Sequence, residues 1–147
     1  MINLNLSLIL LIVVVALVLF VISVYNDLIA LKNRIKASIQ EIGNQLKRQA
    51  ELIPNLETST KAYLKHEKDI LKMLSDARKM VNAGKDASQK VAELLPKLQV
   101  IVESNPQLKG ADGITRLMDE LRDTSDKVMY SRRTLIDIVA DYNIKLA

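Results

Sequence analysis

The 147-residue sequence contains no cysteine, no tryptophan and a single histidine. Disulfides and thiolate metal sites are therefore excluded, and a zinc site built from several histidines is excluded with them, because zinc takes three or four protein ligands. Glycine and proline are also scarce, with four and three residues respectively. Few residues that end helices interrupt the chain, so long helices are allowed.

Charge is absent from the start of the chain, where residues 1–26 include no Asp, Glu, Lys, Arg or His. The run LNLSLILLIVVVALVLFVISV, from Leu4 to Val24, matches the roughly 20 residues that a helix needs to cross hydrocarbon. A cleaved signal peptide is the alternative, but no basic residue precedes the run and the run is longer than a signal-peptide core. Residues 1–26 are therefore predicted to be an uncleaved transmembrane anchor.

Three basic residues follow this predicted anchor closely: Lys32, Arg34 and Lys36. By the positive-inside rule they predict that residues 27–147 face the cytoplasm, although the opposite topology stays open. The same side chains are candidates for contact with anionic lipid headgroups, and simple solvation on a helix surface is the alternative.

The spacing of apolar residues after the anchor indicates helices and no strands. Apolar or small residues recur at steps of three and four from Leu28 to Val81, interrupted only by Glu67. This phase is kept across Pro54, so one long helix is predicted there, kinked rather than reversed by the proline. The predicted class is all-α, with residues 27–147 forming an elongated antiparallel bundle of three to four helices.

Gly84 is suited to a helix stop, and Asp86 or Ser88 to the start of the next helix. A shorter helix is expected in SQKVAELLPKLQVIVES, before NPQLKGADG, which contains one proline and two glycines and is interpreted as a loop. The last helix is predicted from about Asp112 to the end of the sequence.

Residues that could perform catalysis do not form a recognisable set. No nucleophile with a base and an orienting group is evident, and no glycine-rich phosphate loop is present. His66 is interpreted as a surface residue, with a transient metal ligand or a catalytic base as alternatives. Glu67 falls in the apolar register, where it needs a partner such as Lys47, Arg48 or Arg78. Basic and acidic residues are mixed despite a pI of about 9.3, so nucleic-acid binding is not expected.

Asparagine follows tyrosine in two YN pairs, Tyr25–Asn26 and Tyr142–Asn143. An asparagine at a helix seam fixes register or partner choice at a cost in stability. Alternatively, Asn26 marks the membrane boundary and Asn143 a fraying helix end.

Several motifs, in order along the chain, resemble the LemA family of bacterial membrane proteins: YNDLIALKNRI, QLKRQAELIPNLETSTKAYLKHE, DAR, NPQLKG and the final YN. The resemblance implies a single-pass anchor carrying an all-helical bundle without known enzymatic activity. A LemA-like protein is associated with magnetosome membranes, which implies membrane organisation as a theme. The matched positions are Arg48, Pro54, Asn55, Tyr63, His66, Glu67, Arg78, Arg132, Val139, Tyr142 and Asn143.

The sequence departs from the family pattern at four positions. Gln49 stands where a second arginine is usual, and Glu51 where an aspartate is usual. Leu135 and Ile136 replace a Tyr-Asn pair, which puts any polar recognition by that pair in doubt.

These observations predict a structural or interaction protein in the inner membrane of a bacterium. The expected partners are the lipid bilayer, further copies of the chain and other membrane proteins; no cofactor and no small-molecule substrate are expected. The alternative is a membrane-tethered sensory or signalling module in which the helix around Pro54 is the switch.

Overall fold

A computed structural model of the chain describes residues 2–111 and 113–147. The helices are α1 (Ile2–Lys61), α2 (Lys68–Asn82), α3 (Ser88–Ser104), α4 (Pro106–Gly110) and α5 (Ile114–Leu146). No strand occurs in these residues, which confirms the all-α prediction. Met1 and Asp112, which begin the predicted anchor and the predicted last helix, lie outside the described residues.

The chain divides into two compact units. One, called the terminal unit here, comprises Met1–Ala37 and Thr134–Ala147; the other, the core unit, comprises residues 38–133. The two units differ from the predicted domains, an anchor at residues 1–26 and a bundle at residues 27–147. The predicted boundary at residue 26 is the edge of the membrane, and it stays a prediction.

The core unit buries aliphatic side chains from all five helices in one cluster. Ile53 of α1, Leu74 of α2, Leu98 of α3, Leu108 of α4 and Leu121 of α5 are each completely buried. Burying one such side chain contributes about 1.5–3 kcal/mol relative to leaving it in water. Ile53, Leu74, Leu98 and Leu121, which the three-four spacing placed on apolar faces, therefore meet in a common core. Ile39 follows the same spacing but is 57% exposed, and Leu108 comes from the segment that was interpreted as a loop.

Pro54 lies inside α1, and the chain does not reverse there. The turn comes later, at residues 62–67, where the backbone N–H groups of Tyr63 and Leu64 donate to the Thr60 carbonyl at 2.9 and 3.1 Å. The prediction of one helix from Leu28 to Val81 is therefore wrong. The apolar register hid the turn because Tyr63 continues the three-four spacing after Thr60. The residue buried at the turn is instead Leu64, whereas Tyr63 is 37% exposed.

Two contacts show that α2 runs back along α1. Arg78 Nε lies 3.1 Å from Glu57 Oε2, and the N–H of Ala87 donates to Gln49 Oε1 at 3.0 Å. Glu57 lies closer to the turn than Gln49 does, and its partner Arg78 also lies closer to the turn than Ala87 does. This order of pairing is that of two antiparallel helices. Whether Pro54 also kinks α1 stays a prediction.

The remaining helix boundaries follow local signals, with one exception. Gly84 adopts φ +71° after α2, as predicted for a left-handed stop. The segment interpreted as a loop instead contains α4, whose start is capped because the Asn105 side chain accepts from the N–H groups of Gln107 and Leu108. Pro106 sits at the start of this short helix, where its missing N–H costs nothing.

The terminal unit is formed from the first part of α1 and the last part of α5. Leu31 and Ile138 are the buried aliphatic residues described there. Lys145 Nζ donates to Asp27 Oδ2 at 2.8 Å, which joins the end of α5 to the residue three positions after Val24. Val24, Leu28, Ile35 and Leu135 are half-buried, whereas the large apolar side chains from Leu6 to Ile22 are exposed.

Candidate membrane and interaction sites

The first half of α1 exposes a continuous apolar surface. The large apolar side chains from Leu6 to Ile22 are between 49% and 68% exposed. Within the described residues α1 is the one helix long and apolar enough to cross a membrane. A contiguous apolar surface of this kind marks a membrane or protein interaction site, because water would otherwise cover it at a large cost.

The basic residues next to this surface are also exposed. Lys32, Arg34 and Lys36 lie on α1, and none of them forms an ion pair within the described residues. Their ammonium and guanidinium groups are therefore free to meet anionic headgroups, and this contact stays a prediction.

Arg48 and Asn55 are brought together in one exposed groove. The groove has a volume of about 390 Å³, with walls from α1 and Glu120 of α5. Arg48 Nη2 lies 3.4 Å from Glu120 Oε2, so its charge is partly compensated within the chain. The Asn55 side chain makes no hydrogen bond within the described residues and remains available to a partner.

Arg78 and Arg132 each join two segments of the core unit. Arg78 pairs with Glu57, as described above, and Arg132 Nη1 of α5 lies 2.9 Å from Asp86 Oδ2 before α3. The carboxylates are much less exposed than the arginines, with side chains 12% exposed for Glu57 and 13% for Asp86. These two arginines hold the helices together, and neither pairs with Glu67.

Glu67 was expected in the apolar register of a helix, and this expectation is wrong. It precedes α2 as the N-cap residue, and its carboxylate accepts from the backbone N–H of His66 at 3.3 Å. Its three proposed partners were Lys47, Arg48 and Arg78. None of them forms an ion pair with Glu67 within the described residues, because Arg48 pairs with Glu120 and Arg78 with Glu57. A position at a turn lets water solvate the charge, so no buried partner is needed.

His66 and Tyr63 also lie in the turn between α1 and α2. His66 is exposed, as the surface interpretation predicted. A shallow depression of about 370 Å³ adjoins it, lined mostly by charged side chains including Glu67, Asp69 and Lys97. Tyr63 is 37% exposed and therefore presents part of its ring at the turn.

The two YN pairs lie in the terminal unit. Asn26 and Asn143 are exposed on α1 and α5, while Tyr142 is half-buried. Neither asparagine therefore sits in a seam formed within one chain. A register role for either would require a second chain, and it stays a prediction.

The core unit contains a buried polar cluster that was not predicted from the sequence. Gln49 is completely buried, and its Nε2 donates to Ser88 Oγ at 3.0 Å and to Ser125 Oγ at 3.1 Å. Its Oε1 accepts from the N–H of Ala87, so one side chain connects α1 with the start of α3 and with α5. The available signal was the spacing: Gln49 lies three residues after Leu46 and four before Ile53 on the apolar face.

The Gln49 cluster extends to the surface through Asp86. The hydroxyl and the N–H of Ser88 both donate to Asp86 Oδ1, and the other carboxylate oxygen pairs with Arg132. Every polar group in this chain of contacts thus has a partner inside the protein. Such a satisfied network fixes one arrangement of helices, and it offers no unpaired group for chemistry.

These features define the class of the protein, which is all-helical with an N-terminal helix that could span a membrane. The sequence model of the LemA family matches residues 38–147, more than half of the chain. The chain belongs to the LemA family, and the resemblance seen in the sequence is confirmed. No match was found among curated proteins.

Proposed function

We propose that this protein is a structural and interaction protein of the bacterial inner membrane, with α1 as its anchor and an elongated antiparallel bundle as the part that binds partners. The observation that carries the proposal is the exposed apolar surface from Leu6 to Ile22 on the same helix that supplies Ile53 and Leu56 to the core. One continuous helix then links bilayer and bundle. Tethering raises the local concentration of whatever the bundle binds.

Support for a role without catalysis comes from the polar residues matched to the family. Arg48, Arg78 and Arg132 each pair with a carboxylate from another segment of the chain. Side chains used in this way stabilise an arrangement of helices, whereas a catalytic site holds groups in reach of a substrate. The proposed partners are further copies of the chain or other membrane proteins.

Extraction of membranes with alkaline carbonate tests the anchor. The full chain should stay in the membrane pellet, and the double variant Val14→Arg, Leu17→Arg should be released. Each arginine at the centre of a span costs about 2.5–3.5 kcal/mol on insertion scales. The matched control is Gln40→Arg, Asn44→Arg at exposed positions of the same helix, which should remain in the pellet. Release of the unchanged chain would contradict the proposal.

Crosslinking in intact membranes, followed by mass spectrometry, tests the interaction role. Reproducible crosslinks to a second copy or to a defined membrane protein are expected, with Asn55 and Tyr63 as the first positions to probe. Uniform labelling without specific neighbours would count against it.

Protease access tests the topology. The positive-inside rule places residues 27–147 in the cytoplasm, so they should be protected in intact cells and digested after the membrane is opened. Digestion in intact cells would show that residues 27–147 lie on the opposite side of the membrane from the cytoplasm.

A further inference from the structure

We propose that residues 142–147 of α5 form a second membrane contact, in which Ile144 and Leu146 enter the interfacial layer of the bilayer that α1 crosses. The inference rests on the proposed function, because it needs α1 in a membrane. It adds a lipid-binding surface at the far end of the chain from the anchor. All of the residues that carry it lie in the terminal unit.

The depth of this surface follows from one contact. Lys145 Nζ lies 2.8 Å from Asp27 Oδ2. Asp27 is three residues after Val24, the end of the apolar run, which corresponds to about 5 Å along a helix at 1.5 Å per residue. The polar interface of a bilayer leaflet is about 5–7 Å thick, so the Lys145 ammonium group lies at headgroup level.

The composition of α5 changes near this level. Ile144 is 72% exposed and Leu146 is 58% exposed, on either side of Lys145. Asp141 and Asp137, about one and two turns before Lys145, are also exposed but charged. Carboxylates avoid anionic headgroups, whereas aliphatic side chains flanking a lysine suit the interface, where the lysine stem is buried and its charge stays in water.

The bilayer explains this surface better than a second copy of the chain does. A protein partner would need more of the helix. The exposed aliphatic residues that precede Ile144 on α5 are Val139, 37% exposed, and Ile136, and the exposed carboxylates of Asp137 and Asp141 lie among them, so a partner packed along α5 would also have to cover these two charges. Ile144 and Leu146 are instead confined to the level that Asp27 marks. The exposed Tyr25, one residue after Val24, is of the type enriched at that level.

The absence of cysteine from the sequence allows a clean test by site-directed labelling. Four single-cysteine variants of the full chain carry an environment-sensitive nitrobenzoxadiazole label: Ile144→Cys, Leu146→Cys, Asp137→Cys and Phe20→Cys. Each is reconstituted into vesicles of phosphatidylcholine and phosphatidylglycerol, with and without lipids brominated on the acyl chain. Asp137→Cys is the matched control on the same helix, and Phe20→Cys reports the anchor.

Labels at 144 and 146 should be quenched by the brominated lipids about twofold or more above the label at 137, because quenching requires contact with acyl chains. Quenching at 20 without quenching at 144 and 146 would overturn this inference and leave the anchor intact. No quenching at 20 would overturn the anchor and the inference together. A blue-shifted label at 144 that brominated lipids do not quench would show that protein covers the surface, and would also overturn the inference.

Discussion

The core unit and the terminal unit share two helices, α1 and α5, yet they use them differently. In the core unit, apolar side chains of both helices such as Ile53 and Leu121 are completely buried. In the terminal unit, Leu31 and Ile138 are buried, while apolar residues from Leu6 to Ile22 are exposed. The most apolar part of the chain is thus the least covered by protein, which is expected if lipid is its solvent.

The two units also differ in their polar contacts. The core unit encloses Gln49, Ser88 and Ser125 in mutual hydrogen bonds, so its interior specifies which faces meet. The terminal unit has a single described interhelical ion pair, Asp27 with Lys145, whose side chains are 57% and 43% exposed. We therefore expect substitutions to matter much more in the core unit.

The largest expected effect is the loss of a core side chain. Leu98→Ala should lower the free energy of unfolding by about 2–5 kcal/mol, because it removes buried methyl groups and leaves a cavity. Urea unfolding of the full chain in detergent micelles, followed by circular dichroism, measures it. Val100→Ala, at a 66% exposed site of the same helix, should stay within about 0.5 kcal/mol. Leu31→Ala in the terminal unit should cost less than Leu98→Ala, and an equal cost would remove the contrast between the units.

Replacing the proline inside α1 should act in the opposite direction. Pro54→Ala restores an N–H for the Ala50 carbonyl and removes the ring, so stability should rise by up to about 3 kcal/mol. The same unfolding assay measures it. Pro106→Ala is the control, since a proline at the first turn of a helix costs little. A decrease for Pro54→Ala would mean that the core unit depends on a shape that the proline imposes, as the predicted kink would.

The buried polar cluster should show an intermediate effect. Gln49→Leu leaves the Ala87 N–H without its acceptor and should cost about 1–3 kcal/mol of unfolding free energy. Gln40→Leu, at an exposed site of α1, should change it by less than about 0.5 kcal/mol. Ser125→Ala should cost less in the Gln49→Leu background than alone, because the two side chains share a hydrogen bond. Strict additivity would show that the bond contributes nothing.

The ion pairs should have the smallest effects. Arg78→Gln should cost up to about 1 kcal/mol because Glu57 is nearly buried, and Lys145→Gln should cost close to nothing because both partners are exposed. Unfolding at low and high salt distinguishes them, as screening weakens exposed charges. A larger effect for Lys145→Gln would show that the terminal unit is held by charge.

Local signals predicted much of the fold. The charge-free run predicted the long apolar helix, and Gly84 predicted the end of α2. The three-four spacing predicted many of the buried residues of the core unit, such as Leu74, but it also included Ile39, which is 57% exposed. The turn at residues 62–67 was missed because it contains no glycine or proline and because Tyr63 continues the apolar spacing. The residue that interrupted the spacing, Glu67, marks that turn.

The candidate sites were predicted less well. The sequence indicated Arg48, Arg78 and Arg132 as important, but their partners Glu120, Glu57 and Asp86 lie between 21 and 72 residues away along the chain. Gln49 was noted only as a departure from the family, although it is the centre of the buried polar cluster. Pairing over such distances depends on how helices are arranged, which no local pattern encodes.

The sequence alone therefore determined the helical class, the apolar helix and the family, because these depend on composition and on periods of a few residues. Only the tertiary structure decided where α1 ends, which carboxylate each arginine meets, and that Lys145 reaches Asp27. Those outcomes depend on antiparallel packing, which brings together residues far apart in the chain once the apolar faces are buried.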